Sequence, residues 1–242
     1  MELNDQDVRR MNRVLRHRLR NWATGIQNAI SLMAKELDDR LAPQEKEYFP
    51  LILNECHDLQ RLTDRMSLLF DDTPSGGDGS LAEILDVAIS HVQANVPTLN
   101  IDLSMAPGLE KAVIAGRAWM LVAFEEIVRN AAEAKVGGRI VVIGELDAQS
   151  GLILHITDEG AGIAADQADN VFLPFFTTRP RHLGLGLAIA RRGLNQIGGM
   201  IVINRSASGS CMDLIVPVDS DPQTNGRFGM IPCLNTNPQG PL

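Results

Sequence analysis

The chain has 242 residues, with 30 acidic against 22 basic side chains and a formal net charge of -8. That length holds one large domain or two small ones, each able to bury a core, and the acidic balance argues against a general nucleic-acid binder. Three cysteines (Cys56, Cys211, Cys233), odd in number and widely spaced, fit neither a disulfide framework nor a zinc site and indicate a reducing, cytoplasmic compartment. No apolar run approaches the length of a membrane span, and the basic start 1–20 lacks the apolar core of a signal peptide.

In chain order, Val8, Met11, Leu15, Leu19, Trp22, Ile26, Ala29 and Met33 recur at alternating steps of three and four. This is the a/d seam of a long helix. The run from Asp38 to Pro43 ends it. A second helical pattern carries Ile52, Cys56, Leu59, Leu62, Met66 and Leu69, with Pro50 starting or kinking it. A hairpin of two such helices has little core of its own. It is expected to bury its seam against a second copy as a dimeric four-helix bundle, a homodimer.

The run 71–80, rich in Asp, Gly, Pro and Ser, reads as a linker. We therefore place domain boundaries at 1–71 for the hairpin, 72–80 for the linker and 81–218 for a second domain. Beyond it, 219–242 is rich in Pro, Asn and Gly and reads as a flexible tail. In the second domain, Leu81–Val96, Arg117–Ala134 and Leu185–Ile197 predict helices. Arg139–Gly144, Leu152–Thr157, Met200–Asn204 and Met212–Val218 predict strands. The fold class is α+β, with this domain a two-layer α/β sandwich on one sheet.

Four clusters in this domain carry chemistry. On the helix Arg117–Ala134, Glu126 and Asn130 stand one turn apart, a carboxylate over an amide that suits a hydrated Mg²⁺. A solvated polar stripe has the same spacing. Asp158-Glu159-Gly160-Ala161-Gly162 follows a strand; its glycines let a flat ligand approach, and its carboxylate can accept from an amino group such as that of adenine. A plain tight turn reads the same way. Phe172, Phe175 and Phe176, just before Thr177-Thr178-Arg179, are three of seven phenylalanines and would anchor a lid or pack a core. Finally, Gly184-Leu185-Gly186 runs into an apolar helix and offers free N–H groups to phosphate.

In this order and spacing, the four resemble the N, G1, F and G2 boxes of the ATP-binding domain of sensor histidine kinases. That domain is of the GHKL (Bergerat) type, shared with DNA gyrase and a mismatch-repair ATPase, and the resemblance covers roughly Ser80–Val218. It implies ATP and Mg²⁺ as cofactors, Asn130 as the metal ligand and Asp158 on the adenine amine. It also implies Gly160 and Gly162 at the adenine, and Gly184, Leu185, Gly186 and Thr178 near the phosphates, under a lid over 164–183.

Arg16-His17-Arg18-Leu19-Arg20-Asn21 then resembles the family's H-box, which implies His17 as phosphoacceptor and Asn21 as a residue that orients water for regulator dephosphorylation. Two positions depart from the usual pattern, since Arg18 and Trp22 stand where an acid and a proline are common. The resulting His-Arg-Leu-Arg-Asn resembles a subgroup with His-Arg-x-Lys-Asn. Glu126 replaces a frequent asparagine, as in the superfamily's ATPases and some of its kinases, and is the candidate catalytic carboxylate. Arg9, Arg13, Arg16 and Arg20 form a basic stripe, readable as a solvated face or as a docking surface for an acidic partner or for the transferring phosphates. The reading is a cytoplasmic histidine kinase without a membrane span that autophosphorylates His17 and passes the phosphoryl group to a response-regulator receiver domain. Only 16 residues precede His17, which leaves no room for a sensor; the sensor is either a separate input protein or part of a longer chain from which this sequence comes. The alternatives are a GHKL ATPase or switch, or a non-catalytic phosphorelay scaffold.

Overall fold

The structure is a computed structural model that describes residues 5–37, 39–70, 74, 76–147, 151–179, 182–204 and 209–217, with side chains from Arg9 onward. The tail 219–242, residues 71–73 and 75 around the start of the linker, and the side chain of Val8 lie outside the described residues.

Helix α1 (Asp5–Leu37) and helix α3 (Tyr48–Phe70) form the hairpin, joined by the short helix α2 (Pro43–Lys46). Pro50 starts α3 rather than kinking it: as the third residue it falls in the first turn, where an N–H has no intrahelical partner. The faces the two helices turn to each other are small and polar. Asn12, Ala23, Cys56, Thr63 and Ser67 are buried. Gln27 and Gln60 exchange amide hydrogen bonds at 3.3 and 2.9 Å. The apolar seam of α1 points outward instead: Met11, Leu15, Trp22, Ile26 and Met33 are exposed, Trp22 at 61% and Ile26 at 46%. Leu19 departs from the expected seam and is half-buried. It falls three and four positions from Arg16 and Ala23, on the face α1 turns to α3.

In the second domain, strands β2 (Asn100–Met105), β4 (Arg139–Asp147), β5 (Gly151–Asp158), β6 (Met200–Asn204) and β7 (Cys211–Val216) make one sheet in the order β2-β4-β5-β7-β6. All pairs are antiparallel except β2 with β4. Helices α4 (Leu81–Asn95), α5 (Arg117–Ala134) and α6 (Gly186–Gln196) cover one face. Strand alternation turns Ile140, Val142, Leu152, Leu154, Ile156, Met212, Leu214 and Val216 into the core, against Leu85, Met120, Phe124, Ile127 and Leu194. This is the expected two-layer sandwich.

Three details differ from the sequence reading. Gly79 and Ser80, assigned to the linker, form β1 (Gly79–Ser80), paired with β3 (Val113–Ile114). Ser80 also caps α4 by accepting from the Glu83 N–H at 3.3 Å. The edge strand β2 was not expected, although Ile101, Leu103 and Met105 alternate with polar residues. The last strand stops at Val216 because Pro217 has no N–H to extend the ladder.

Candidate active site

Helix α5 presents Glu126, Asn130 and Glu133 along one face, at steps of four and three. The chain reaches that face again in the segment that leads into α6. Together with α3 of the hairpin they enclose a cavity of about 870 Å³. Glu126, Asn130, Thr178, Gly184, Leu185 and Gly186 all line it, so one space gathers the expected metal and phosphate residues. Gly184 is required by its backbone: φ is +64°, and a Cβ there would come within 2.4 Å of the Phe176 carbonyl oxygen. The Phe175 N–H donates to the Gly184 carbonyl at 2.8 Å, fixing the turn. Phe175 carries a positive φ of 68°, uncommon for a side chain of that size. Helix α6 then begins at Gly186 with no side-chain cap, so its first N–H groups remain available to an anion.

The three phenylalanines divide their roles. Phe172 is buried under the guanidinium of Arg191, 5.3 Å from the ring centroid. Phe176 lines the cavity, and Phe175 is exposed.

Asp158, Gly160 and Gly162 form a second group that does not line this cavity, although Ile163 does. Asp158 is 5% exposed. It accepts from the Gly160 N–H at 2.7 Å, the Ser210 N–H at 3.2 Å and the Ser210 hydroxyl. A carboxylate has about four acceptor positions, so roughly one is left for a ligand. The loop is clipped to the end of α5 by Lys135, whose ammonium donates to Glu159 at 3.0 Å and holds that carboxyl below its usual range. A Cβ at Gly160 would meet Ala134 at 2.5 Å, so the two segments touch backbone to side chain.

His17 and Asn21 lie on α1, outside the cavity. His17 is exposed, and its Nδ1 is 3.2 Å from the Asn21 amide. In the basic stripe, Arg20 pairs with Asp64 of α3.

Several charge pairings at the site carried no sequence signal. Arg65 of α3 donates to Glu126 Oε2 at 2.5 Å, and Arg129 donates to Oε1 at 3.1 Å. Glu133 holds His182 at 3.2 Å and Arg179 at 3.6 Å, tying the loop before α6 to α5. Only the Arg129–Glu126 spacing was readable as a helical pair; the others join segments distant in the chain.

The donor chemistry fits a magnesium nucleotide. Asn130 offers a hard amide oxygen to the cavity, and among the described residues no cluster of three or more His, Cys, Asp or Glu is ready to hold a metal alone. Mg²⁺ needs few protein oxygens when it keeps its waters and shares substrate phosphates.

Residues 117–220 match the family model described as histidine kinase-, DNA gyrase B- and HSP90-like ATPase. Sporulation kinase D of Bacillus subtilis is 25% identical over 210 residues, covering 84% of this chain and 40% of that protein. The sensory histidine kinase/phosphatase NtrB of Azospirillum brasilense is 25% identical over 242 residues, covering 91% and 58%.

The chain carries a histidine kinase-, DNA gyrase B- and HSP90-like ATPase domain and resembles curated sensor histidine kinases along most of its length.

It spans about half the length of these curated relatives. Over a shorter stretch, the sensor histidine kinase ZraS of Escherichia coli is 38% identical across 98 residues, 39% of this chain. The solved structure of full-length ShkA in complex with AMPPNP has the same fold, with a TM-score of 0.70 at 16% identity over 86% of this chain and 46% of that one. The domain that holds residues 117–220 is therefore of the GHKL type. Among the described residues no helix is long and apolar enough to cross a membrane.

Proposed function

We propose that this chain is a homodimeric protein-histidine kinase that phosphorylates His17 from Mg·ATP and passes the phosphoryl group to a response-regulator aspartate. One observation carries the reading: the cavity that gathers Asn130, Gly184 and Gly186 is walled on its other side by α3, the helix paired with the one bearing His17. The nucleotide site and the acceptor hairpin thus face each other in one chain. Kinase relatives along most of the chain support the same reading.

Bound Mg²⁺ would supply charge neutralisation at the phosphates, with Asn130 as its protein ligand. The protein's own residues do the rest. Asp158 offers its remaining lone pair to the adenine amine. The uncapped start of α6 presents N–H groups to the phosphates, and the Glu133 tether holds the loop carrying Thr178 beside them. His17 supplies an imidazole nitrogen, nucleophilic when neutral. The Asn21 amide nitrogen stands 3.2 Å from Nδ1 and orients the ring one helical turn away. Glu126 is the candidate acceptor for a proton on the nucleotide side, but both its oxygens are held by arginines, so one must be released first. Positioning and charge compensation dominate such transfers.

The test is incubation with γ-labelled ATP. The chain should retain a Mg²⁺-dependent label that survives base and is lost in acid, and Asn130→Ala should abolish it. Asp158→Ala should fail earlier, at nucleotide binding. Steady release of inorganic phosphate with no label retained would instead indicate an ATPase.

A further inference from the structure

We propose that Arg65, although part of the hairpin, is a ligand of the nucleotide's terminal phosphate, and that the Glu126 carboxylate holds its place until the nucleotide arrives. The inference rests on the kinase reading above. Arg65 is 61 residues from Glu126 in the chain, yet it donates to Oε2 at 2.5 Å across the cavity. The pair stands directly against the first residue of α6. A Cβ on Gly186 would lie 2.9 Å from Glu126 Oε2 and 3.4 Å from Arg65 Nη2. An anion held by two guanidiniums at an uncapped helix start occupies the environment that suits phosphate oxygens. Arg65 also has a donor in reserve, since its Nε is buried and makes no hydrogen bond among the described residues.

Arg61, one turn earlier, does not share this placement: it is largely exposed and pairs with Asp58 on its own helix. The terminal phosphate is the relevant one because the hairpin must receive it, and Arg65 is a cation on the hairpin side. It carries more charge and more acceptor oxygens than a carboxylate, so it competes for the guanidinium. Losing Arg65 frees Glu126 Oε2, the acceptor that transfer would use. One exchange therefore links nucleotide occupancy, hairpin docking and release of the candidate base.

The experiment is calorimetric titration of the full chain with a non-hydrolysable ATP analogue and with ADP. Arg65→Gln should weaken the triphosphate about tenfold or more while changing ADP less than about twofold, the scale of one charge-assisted contact. Arg65→Lys should recover part of the loss. Glu126→Gln breaks the ion pair but leaves the guanidinium, and should bind the triphosphate at least as tightly as the unaltered chain. Equal effects of Arg65→Gln on both nucleotides, or no effect, would overturn the proposal. So would Glu126→Gln weakening binding as much as Arg65→Gln, because the pair would then be only structural. If the unaltered chain binds neither nucleotide, the kinase reading falls and this proposal with it. If it binds both and Arg65→Gln changes nothing, only the role of Arg65 falls.

Discussion

The two parts of this molecule solve the problem of burial in opposite ways. The ATP-binding domain closes its core on itself: Phe124, Ile127, Leu154 and Leu214 are sealed between helices and sheet. The hairpin does the reverse. It pairs its small and polar residues inward and leaves Met11, Leu15, Trp22, Ile26 and Met33 outside. One part is finished as a monomer and the other is not, which is the physical basis for proposing that the chain dimerises through α1.

The largest expected effect is on the unfinished part. Ile26→Glu should leave the chain monomeric at micromolar concentration in sedimentation. Each copy would lose about 1.5–3 kcal/mol of burial and would otherwise set an unpaired carboxylate in the seam. Leu19→Glu is the less specific variant, because Leu19 is on the inward face and its loss also loosens the hairpin. An unaltered chain that is already monomeric would break the comparison outright.

Phe124→Ala tests the finished part. It should cost about 3–5 kcal/mol, as large core truncations do, and lower the melting temperature of the ATP-binding domain independently of protein concentration. Melting of the hairpin, by contrast, should shift with concentration.

The contact between the two parts is tested by Glu126→Gln. Nucleotide binding should persist while phosphoryl transfer falls about 100-fold, the usual scale for a lost general base. An unchanged transfer rate removes Glu126 from the chemistry.

The smallest effect lies on the open face of the sheet, far from α3. Burial pulls the pKa of His155 down, but hydrogen bonds and attraction from Asp213 and Glu145 outweigh it and leave the pKa raised. A raised folded pKa adds stability that is fully present below the ordinary histidine range near 6.5 and is lost as pH climbs through the folded value. His155→Gln should therefore flatten the decline in stability from slightly acid to slightly alkaline pH, measured by denaturant melts, without altering nucleotide affinity.

How legible all this was in the sequence depends on distance along the chain. Helix α5 was read to the residue because its apolar positions keep one helical period. The strands were visible as β-branched runs. The strand β2 was missed although its alternation was readable, because Asp102 and Ser104 break up the β-branched run that marked the others. Periodicity also put Leu19 on the seam, since it cannot distinguish the face a helix turns to its own hairpin from the face it offers to another copy. At the site, the glycines and Asn130 announce themselves by local spacing. Arg65, Ser210 and the partners of Glu133 do not, because each meets its partner only after folding brings distant segments together.

The central claim is that the finished domain acts on the unfinished one, at His17. Mass-spectrometric mapping of the phosphoryl group at neutral pH, after incubation of the full chain with Mg·ATP, tests it most directly. The account predicts modification at His17 and none at His57, His91, His155 or His182. Phosphate on another of these residues, or undiminished incorporation in His17→Gln, would contradict it.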